Sequence, residues 1–202
     1  MKLYLIRHGQ TDWNLEGKIQ GRTDIPLNKT GLEQAAMLAK GMEHRPVTRI
    51  FSSPLKRALQ TAQIIGESRK APVEIVEDLQ EVDFGRWEGL TWEQARQQDP
   101  EIYKRWLLNP VEAAPPGGEL QDEVRRRMGR AVRTLMERMD GDAAVVSHGA
   151  ALAYLVEYLM RDHPLEREFI VENSSITTIE YQRITGDFIL LQANDTAHLR
   201  KQ

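Results

Sequence analysis

The 202-residue chain has no cysteine, which excludes disulfides, thiolate metal ligands and a cysteine nucleophile, and which is compatible with a reducing compartment. It also lacks a long apolar run. The apolar start Leu3-Tyr4-Leu5-Ile6 is interrupted by Arg7 and His8, too early for a signal-peptide core or a membrane span. Neither sign of charge dominates: the formal net charge of −3 gives no global attraction to nucleic acid, so an anion site must concentrate its basic side chains locally. Repeats and low-complexity tracts are absent. These absences predict a cytoplasmic protein with no nucleic-acid or membrane partner; a monomer or homodimer is expected.

What is present is an ordinary globular composition, 41% hydrophobic and 28% charged, which suits one domain over 1–202 with a central sheet covered on both faces. Strand-like segments at about 2–6, 48–52, 73–76 and 142–147 alternate with helical ones, and 176–182 with 188–192 reads as a closing hairpin around Gly186-Asp187. The expected fold is α/β, a three-layer sandwich with a mostly parallel sheet, helices on both faces and a small helical cap insertion at about 83–121. Helix starts are marked by a capping box at Thr30-Gly31-Leu32-Glu33, by Ser53 as an N-cap with Pro54 in the first turn, and by a second box at Thr91-Trp92-Glu93-Gln94. Asp99-Pro100 divides two short helical stretches ending near Leu108. A long helix from about Asp122 to Met139 carries an apolar stripe at Val124, Met128, Val132, Leu135 and Met139, with Arg125-Arg126-Arg127 read as a solvated face; another helix spans 150–160.

Two histidines, each at the end of an apolar strand-like run and each followed by glycine, carry the functional signal: Leu5-Ile6-Arg7-His8-Gly9 and Val145-Val146-Ser147-His148-Gly149. The carboxyl ends of parallel strands face the crevice where open α/β sheets bind ligands. Glycine next to each histidine predicts a sharp turn with positive φ and room for a ligand to approach. Phosphoryl transfer needs cations for the equatorial oxygens, an in-line nucleophile and a proton for the leaving oxygen. Arg7 beside His8 and Arg57 just inside a helix supply the first, with His148 as a third donor; carboxylates between Asp78 and Asp83 offer the last, with no choice among them from composition.

In four motifs the chain resembles the histidine phosphatase superfamily, the phosphoglycerate-mutase-like proteins. They are Leu5 through Asn14, Ser52 through Ala62, Glu81 through Gly89, and Val146-Ser147-His148-Gly149. The resemblance implies that His8 is the nucleophile that becomes phosphohistidine, that Arg7, Asn14, Arg57 and His148 hold the phosphate with the Gly149 backbone nearby, and that Glu81 donates and accepts the proton. An imidazole attacking through one nitrogen needs an acceptor to fix the other, expected to be a backbone carbonyl near Gly9. Members of the family use no metal, no cofactor is expected for this chain, and the sequence has no paired-acid magnesium site, His-Glu-x-x-His or Gly-rich Lys-Ser/Thr loop.

By the same resemblance, Gln20-Gly21-Arg22-Thr23-Asp24 lies near the substrate, a small phosphate ester, with Thr23 as a phosphate contact, and Asn173 supports the site from behind. Mutases of the family carry Trp-Arg-Arg where this chain has Trp106-Leu107-Leu108, and Glu81 with Asp83 through Gly89 is similar to the phosphatase branch, including broad-specificity and α-ribazole phosphate enzymes. Hydrolysis is therefore expected, with mutase activity and a non-catalytic phospho-ligand-binding module as alternatives. Gly118-Glu119-Leu120 departs from the Gly-Glu-Ser of many relatives. Leu107, Leu108 and Leu120, with an apolar wall at Trp87 and Trp106, point to a hydrophobic or aromatic leaving group.

Overall fold

The computed structural model describes residues 1–160, 169 and 171–200. Its sheet has six strands in the order β3-β2-β4-β1-β5-β6: β1 (Lys2–Arg7), β2 (Val47–Ser52), β3 (Val73–Ile75) and β4 (Asp142–Ser147) run parallel, and β5 (Ile176–Tyr181) and β6 (Phe188–Asp195) close one side antiparallel. The sheet is thus mixed and open, as the alternation of segments predicts. β1 reads as a continuous apolar run because both of its faces are covered. Leu3 and Leu5 face one hydrophobic cluster, Tyr4 and Ile6 the other.

The first cluster holds α6 (Gln121–Arg138) and α7 (Gly149–Leu159); the second holds α2 (Lys29–Gly41) and α3 (Lys56–Arg69). Val124, Met128, Val132, Leu135 and Met139 are all buried, so the stripe on α6 is the face it lays on the sheet. The chain leaves β1 toward the α2 face and leaves the adjacent β4 toward the α7 face. Loops diverging from neighbouring strands open a crevice at their carboxyl ends. A short α1 (Asp12–Leu15) and the cap helix α4 (Trp92–Gln98) line it, and α5 (Pro100–Leu108) packs against α4 through Trp106. Thr91 and Gln94 form the expected capping box, and an isolated bridge ties Thr91 to Lys18.

Several local expectations are corrected. α2 starts at Lys29, capped by Asn28, whose Oδ1 accepts from the Gly31 amide; Thr30 is already inside the helix. α3 starts at Lys56, not after Ser53, and its first amide donates to Asp24 Oδ1 from a distant loop (2.7 Å). Ser53 lies outside the helix, where its Oγ accepts from the Leu55 amide (3.3 Å) and lies 2.7 Å from His148 Nε2. β6 extends to Asp195, three residues beyond the expected hairpin arm. Arg127 is buried, whereas Arg126 beside it is exposed, so the three arginines do not form one wet face. Neither Gly9 nor Gly149 has positive φ. Gly9 is required for packing: a Cβ there would press on the Gly31 carbonyl at the start of α2. At Gly149 a Cβ would meet only Arg7, at ordinary contact distance.

Candidate active site

β1 and β4 pair with Arg7 opposite Ser147, which sets the two strand-end histidines side by side, their ring centroids 5.2 Å apart and the planes tilted by 58°. Both rings are buried. His8 Nδ1 lies 2.6 Å from the Gly9 carbonyl, an atom that only accepts, so Nδ1 carries the proton and Nε2 the lone pair. This is the backbone acceptor expected near Gly9. Burial holds the His8 imidazole well below its ordinary value, and the charges of Arg57 and Arg7 push in the same direction. The ring is therefore neutral at neutral pH. Asn173 braces it from behind, donating from Nδ2 to the carbonyls of His8 (3.0 Å) and Gly9 (3.4 Å).

His148 sits in an equally defined frame. Arg57 donates from Nε to His148 Nδ1 (3.1 Å), which leaves the ring proton on Nε2, 2.7 Å from Ser53 Oγ. Burial, then Arg57, His8 and Arg7, hold this imidazole well below its usual value. With both nitrogens engaged and the ring fully buried, His148 is not among the residues lining the cavity. Its contact is with Arg57, the guanidinium that does line it.

Arg57 is wholly buried yet makes every bond through its fork: Nη1 donates to the Thr23 carbonyl (2.9 Å) and Nη2 to the Gly21 carbonyl (2.7 Å). Burial brings it down to about 10, with Glu81, Asp24 and Glu88 opposing, so it stays a cation at neutral pH. Gly21 has φ +51°, and a Cβ there would overlap the Glu88 carboxylate. That carboxylate organises the loop, accepting from the amides of Arg22 (2.8 Å) and Thr23 (2.9 Å) and from the Thr23 hydroxyl (2.5 Å). Thr23 thus serves Arg57 through its carbonyl and Glu88 through its hydroxyl, and it does not line the cavity. Glu88 lies in a motif the sequence singled out, but its contacts to residues 22–23 have no signal in sequence.

The cavity, about 330 Å³, suits a small ester. Arg7, His8, Arg57, Asn14, Glu81 and Gly149 meet in its floor, with Gln20 and Gly21 beside them. Arg7 donates from Nη1 to the Val171 carbonyl (2.6 Å), while its buried Nε has no acceptor among the described residues. Asn14 Oδ1 accepts from the Thr11 amide and hydroxyl and from Asn173, so its Nδ2 is the group left to donate into the cavity. Gln20 Oε1 accepts from the Thr11 hydroxyl (3.0 Å). Glu81 rests on the first turn of α7: Oε1 accepts from the amides of Ala151 (2.8 Å) and Val82 (2.9 Å), and Oε2 from Ala150 (3.3 Å). The Gly149 amide of that turn has no acceptor among the described residues and stays available to an anion.

Aromatic residues form the mouth. Trp13, Phe84 and Trp92 line it, with Trp92 stacked on Trp106 at 5.5 Å and 9° and Phe84 edge-on to both. Lys18 is the cation at the mouth; it pairs with Glu16 (2.6 Å) and lies over the Trp13 ring. Leu107 and Leu108 are exposed, and neither they nor Leu120 line the cavity. Trp87 is buried beneath the mouth, its Nε1 donating to Asp99. Among the described residues no group of three or more His, Asp or Glu side chains is placed to hold a metal ion, and no helix is long and apolar enough to cross a membrane.

A family model described as the histidine phosphatase superfamily, branch 1, matches residues 3–196. The chain is 33% identical to a probable phosphoglycerate mutase, GpmB, of Yersinia pestis over 205 residues, which cover 98% of this chain and 95% of the relative. Among solved structures it is similar to the α-ribazole phosphatase of Shigella flexneri (29% identity, TM-score 0.85, 96% of each chain). It is also similar to the phosphoserine phosphatase of Entamoeba histolytica, solved with 3-phosphoglyceric acid (33% identity, TM-score 0.83, 98% of this chain and 99% of that one). With a match from residue 3 to residue 196 and relatives aligned almost end to end, the chain belongs to branch 1 of the histidine phosphatase superfamily.

Proposed function

We propose that this phosphatase hydrolyses small phosphate monoesters without a metal, through a phosphohistidine on His8. One observation carries the reading: the Gly9 carbonyl holds the His8 Nδ1 proton, leaving an Nε2 lone pair in a cavity floored by two guanidinium groups. In the first step Nε2 attacks phosphorus in line, the ester P–O bond breaks, and Glu81 gives its proton to the leaving oxygen. In the second, water attacks the phosphohistidine, the P–N bond breaks, and Glu81 takes the water proton. Arg7, Arg57, the Asn14 amide and the Gly149 N–H hold the equatorial oxygens throughout, where charge builds in the transition state. His148 acts by fixing Arg57.

Hydrolysis is favoured over phosphoryl return by the mouth. A glycerate intermediate needs cations for its carboxylate, yet Lys18 is paired with Glu16, and Arg22, paired with Glu119, lies outside the cavity lining. The stacked rings instead favour esters of flat, uncharged alcohols. This replaces the leucine-lined surface expected from sequence with Trp13, Phe84 and Trp92.

The test is transfer from a labelled aryl phosphate, quenched without acid during steady turnover in the presence of EDTA. Label on the peptide containing His8, absent in His8→Ala, is the expected result. Turnover without label on that peptide overturns the reading.

A further inference from the structure

The loop that delivers Glu81 is not held by its own secondary structure: β3 ends at Ile75 and only a single turn, Glu77–Leu79, separates it from Gln80. Ser147 at the end of β4 donates from Oγ to the Leu79 carbonyl (2.7 Å), and the carbonyls on either side of it are held by Arg127, which arrives from α6. Nη1 of Arg127 donates to the carbonyls of Asp78 (2.8 Å) and Gln80 (2.7 Å), and Nη2 to that of Glu81 itself (3.3 Å). The same guanidinium makes a two-pronged pair with Glu119, through Nε (3.0 Å) and Nη2 (2.8 Å). Glu119 in turn accepts from the Asp83 amide (3.0 Å) and from Arg22 Nη2 (2.8 Å).

We infer that Arg127, oriented by Glu119, is a positioning residue for the proton carrier. It fixes the backbone on both sides of Gln80 so that the Glu81 carboxyl stays on the first turn of α7, facing the leaving oxygen. A guanidinium suits this task because its rigid fork reaches three carbonyls and a carboxylate at once, which an ammonium cannot do with the same geometry. Arg127 lies outside the lining of the cavity that holds His8 and acts through the Glu81 loop. The inference rests on Glu81 being the proton carrier, and its test separates the two claims.

The measurement compares kcat/KM for 4-nitrophenyl phosphate and phenyl phosphate, which present the same ring to the mouth but differ in how much their leaving oxygen needs a proton. kcat/KM covers the steps up to phosphohistidine formation and is blind to its hydrolysis. Arg127→Lys is expected to lower phenyl phosphate turnover by about 10–100-fold and 4-nitrophenyl phosphate turnover by less than about threefold, within the span a misplaced general acid removes. In a Glu81→Gln background the same substitution should add less than about twofold, because both changes remove one function. Glu119→Gln, which keeps Arg127 but loosens its orientation, should give the same selectivity at about threefold or more; it carries the test if Arg127→Lys does not fold.

Equal losses on the two esters, or losses that multiply in the Glu81→Gln background, overturn the inference and leave Arg127 a purely structural residue. If Glu81→Gln itself slows both esters equally, the proton-carrier assignment falls, and this inference with it.

Discussion

Ser53 Oγ accepts the Nε2 proton of His148 across 2.7 Å, in the tautomer that Arg57 sets by donating from Nε to Nδ1. Ser53→Ala leaves that donor buried without a partner, at a cost of about 1–3 kcal/mol. The expected result is a lower urea midpoint and a several-fold lower kcat/KM, as Arg57 loses its fixed neighbour. Ser53→Thr, which keeps a hydroxyl, should recover most of the activity; an alanine variant with unchanged stability would contradict the assigned tautomer.

Gly21 offers a second test through Arg57. Alanine there must hold φ +51° and collide with Glu88, a strain of about 1–3 kcal/mol that the loop relieves by moving its carbonyls off Arg57. Gly21→Ala is expected to lose about 100-fold in kcat/KM while remaining folded, since misplacement of about 1 Å has that effect. Circular dichroism and steady-state rates on the same sample check both parts.

Stability should decline on the acid side of neutrality. His8 and His148 are held neutral by burial and by the neighbouring arginines, whereas the unfolded chain protonates both below about pH 6.5. The unfolded state then binds more protons, so unfolding free energy falls as pH drops through that value. The slope approaches about 1.4 kcal/mol per pH unit for each imidazole. Urea midpoints measured from pH 7.5 to 5.5 should fall steadily, and a flat series would show that the imidazoles are not kept neutral.

Substrate preference is read out by Trp92. Removing the ring with Trp92→Ala is expected to lower kcat/KM for phenyl phosphate by about tenfold, the upper range for losing an aromatic pair, and that for glycerol 2-phosphate by less than about twofold. Equal losses would place the tryptophan in cap packing alone.

The sheet was legible because its strands are buried on both faces: Leu3 to Ile6 and Ala143 to Val146 are apolar throughout, and no helical stripe competes with them. The α6 stripe and the capping box at Thr91 were legible for the same local reason. Contacts between distant segments were not. Ser53 has the residue type and place of an N-cap, but its hydroxyl serves the Leu55 amide and His148 outside the helix, and Asp24 caps α3 from 32 residues away. Arg127 looks like its neighbours Arg125 and Arg126, and only the packing of α6 against the 78–81 loop distinguishes it. Likewise Leu107 and Leu108 are apolar but exposed, while the rings that line the mouth from this cap are Phe84 and Trp92.

All four tryptophans of the chain lie in the cap or at the mouth: Trp13 and Trp92 line the cavity, and Trp87 and Trp106 pack behind Phe84 and Trp92. Tryptophan emission, excited selectively over the tyrosines of β1 and β5, is therefore a local probe of this end of the molecule. Titration with an ester should change emission directly, without an added dye. In a denaturation series, emission will follow the loosening of this aromatic group while far-ultraviolet dichroism follows the strands and the long helices, so the separation of the two curves measures how tightly the cap is coupled to the rest of the molecule.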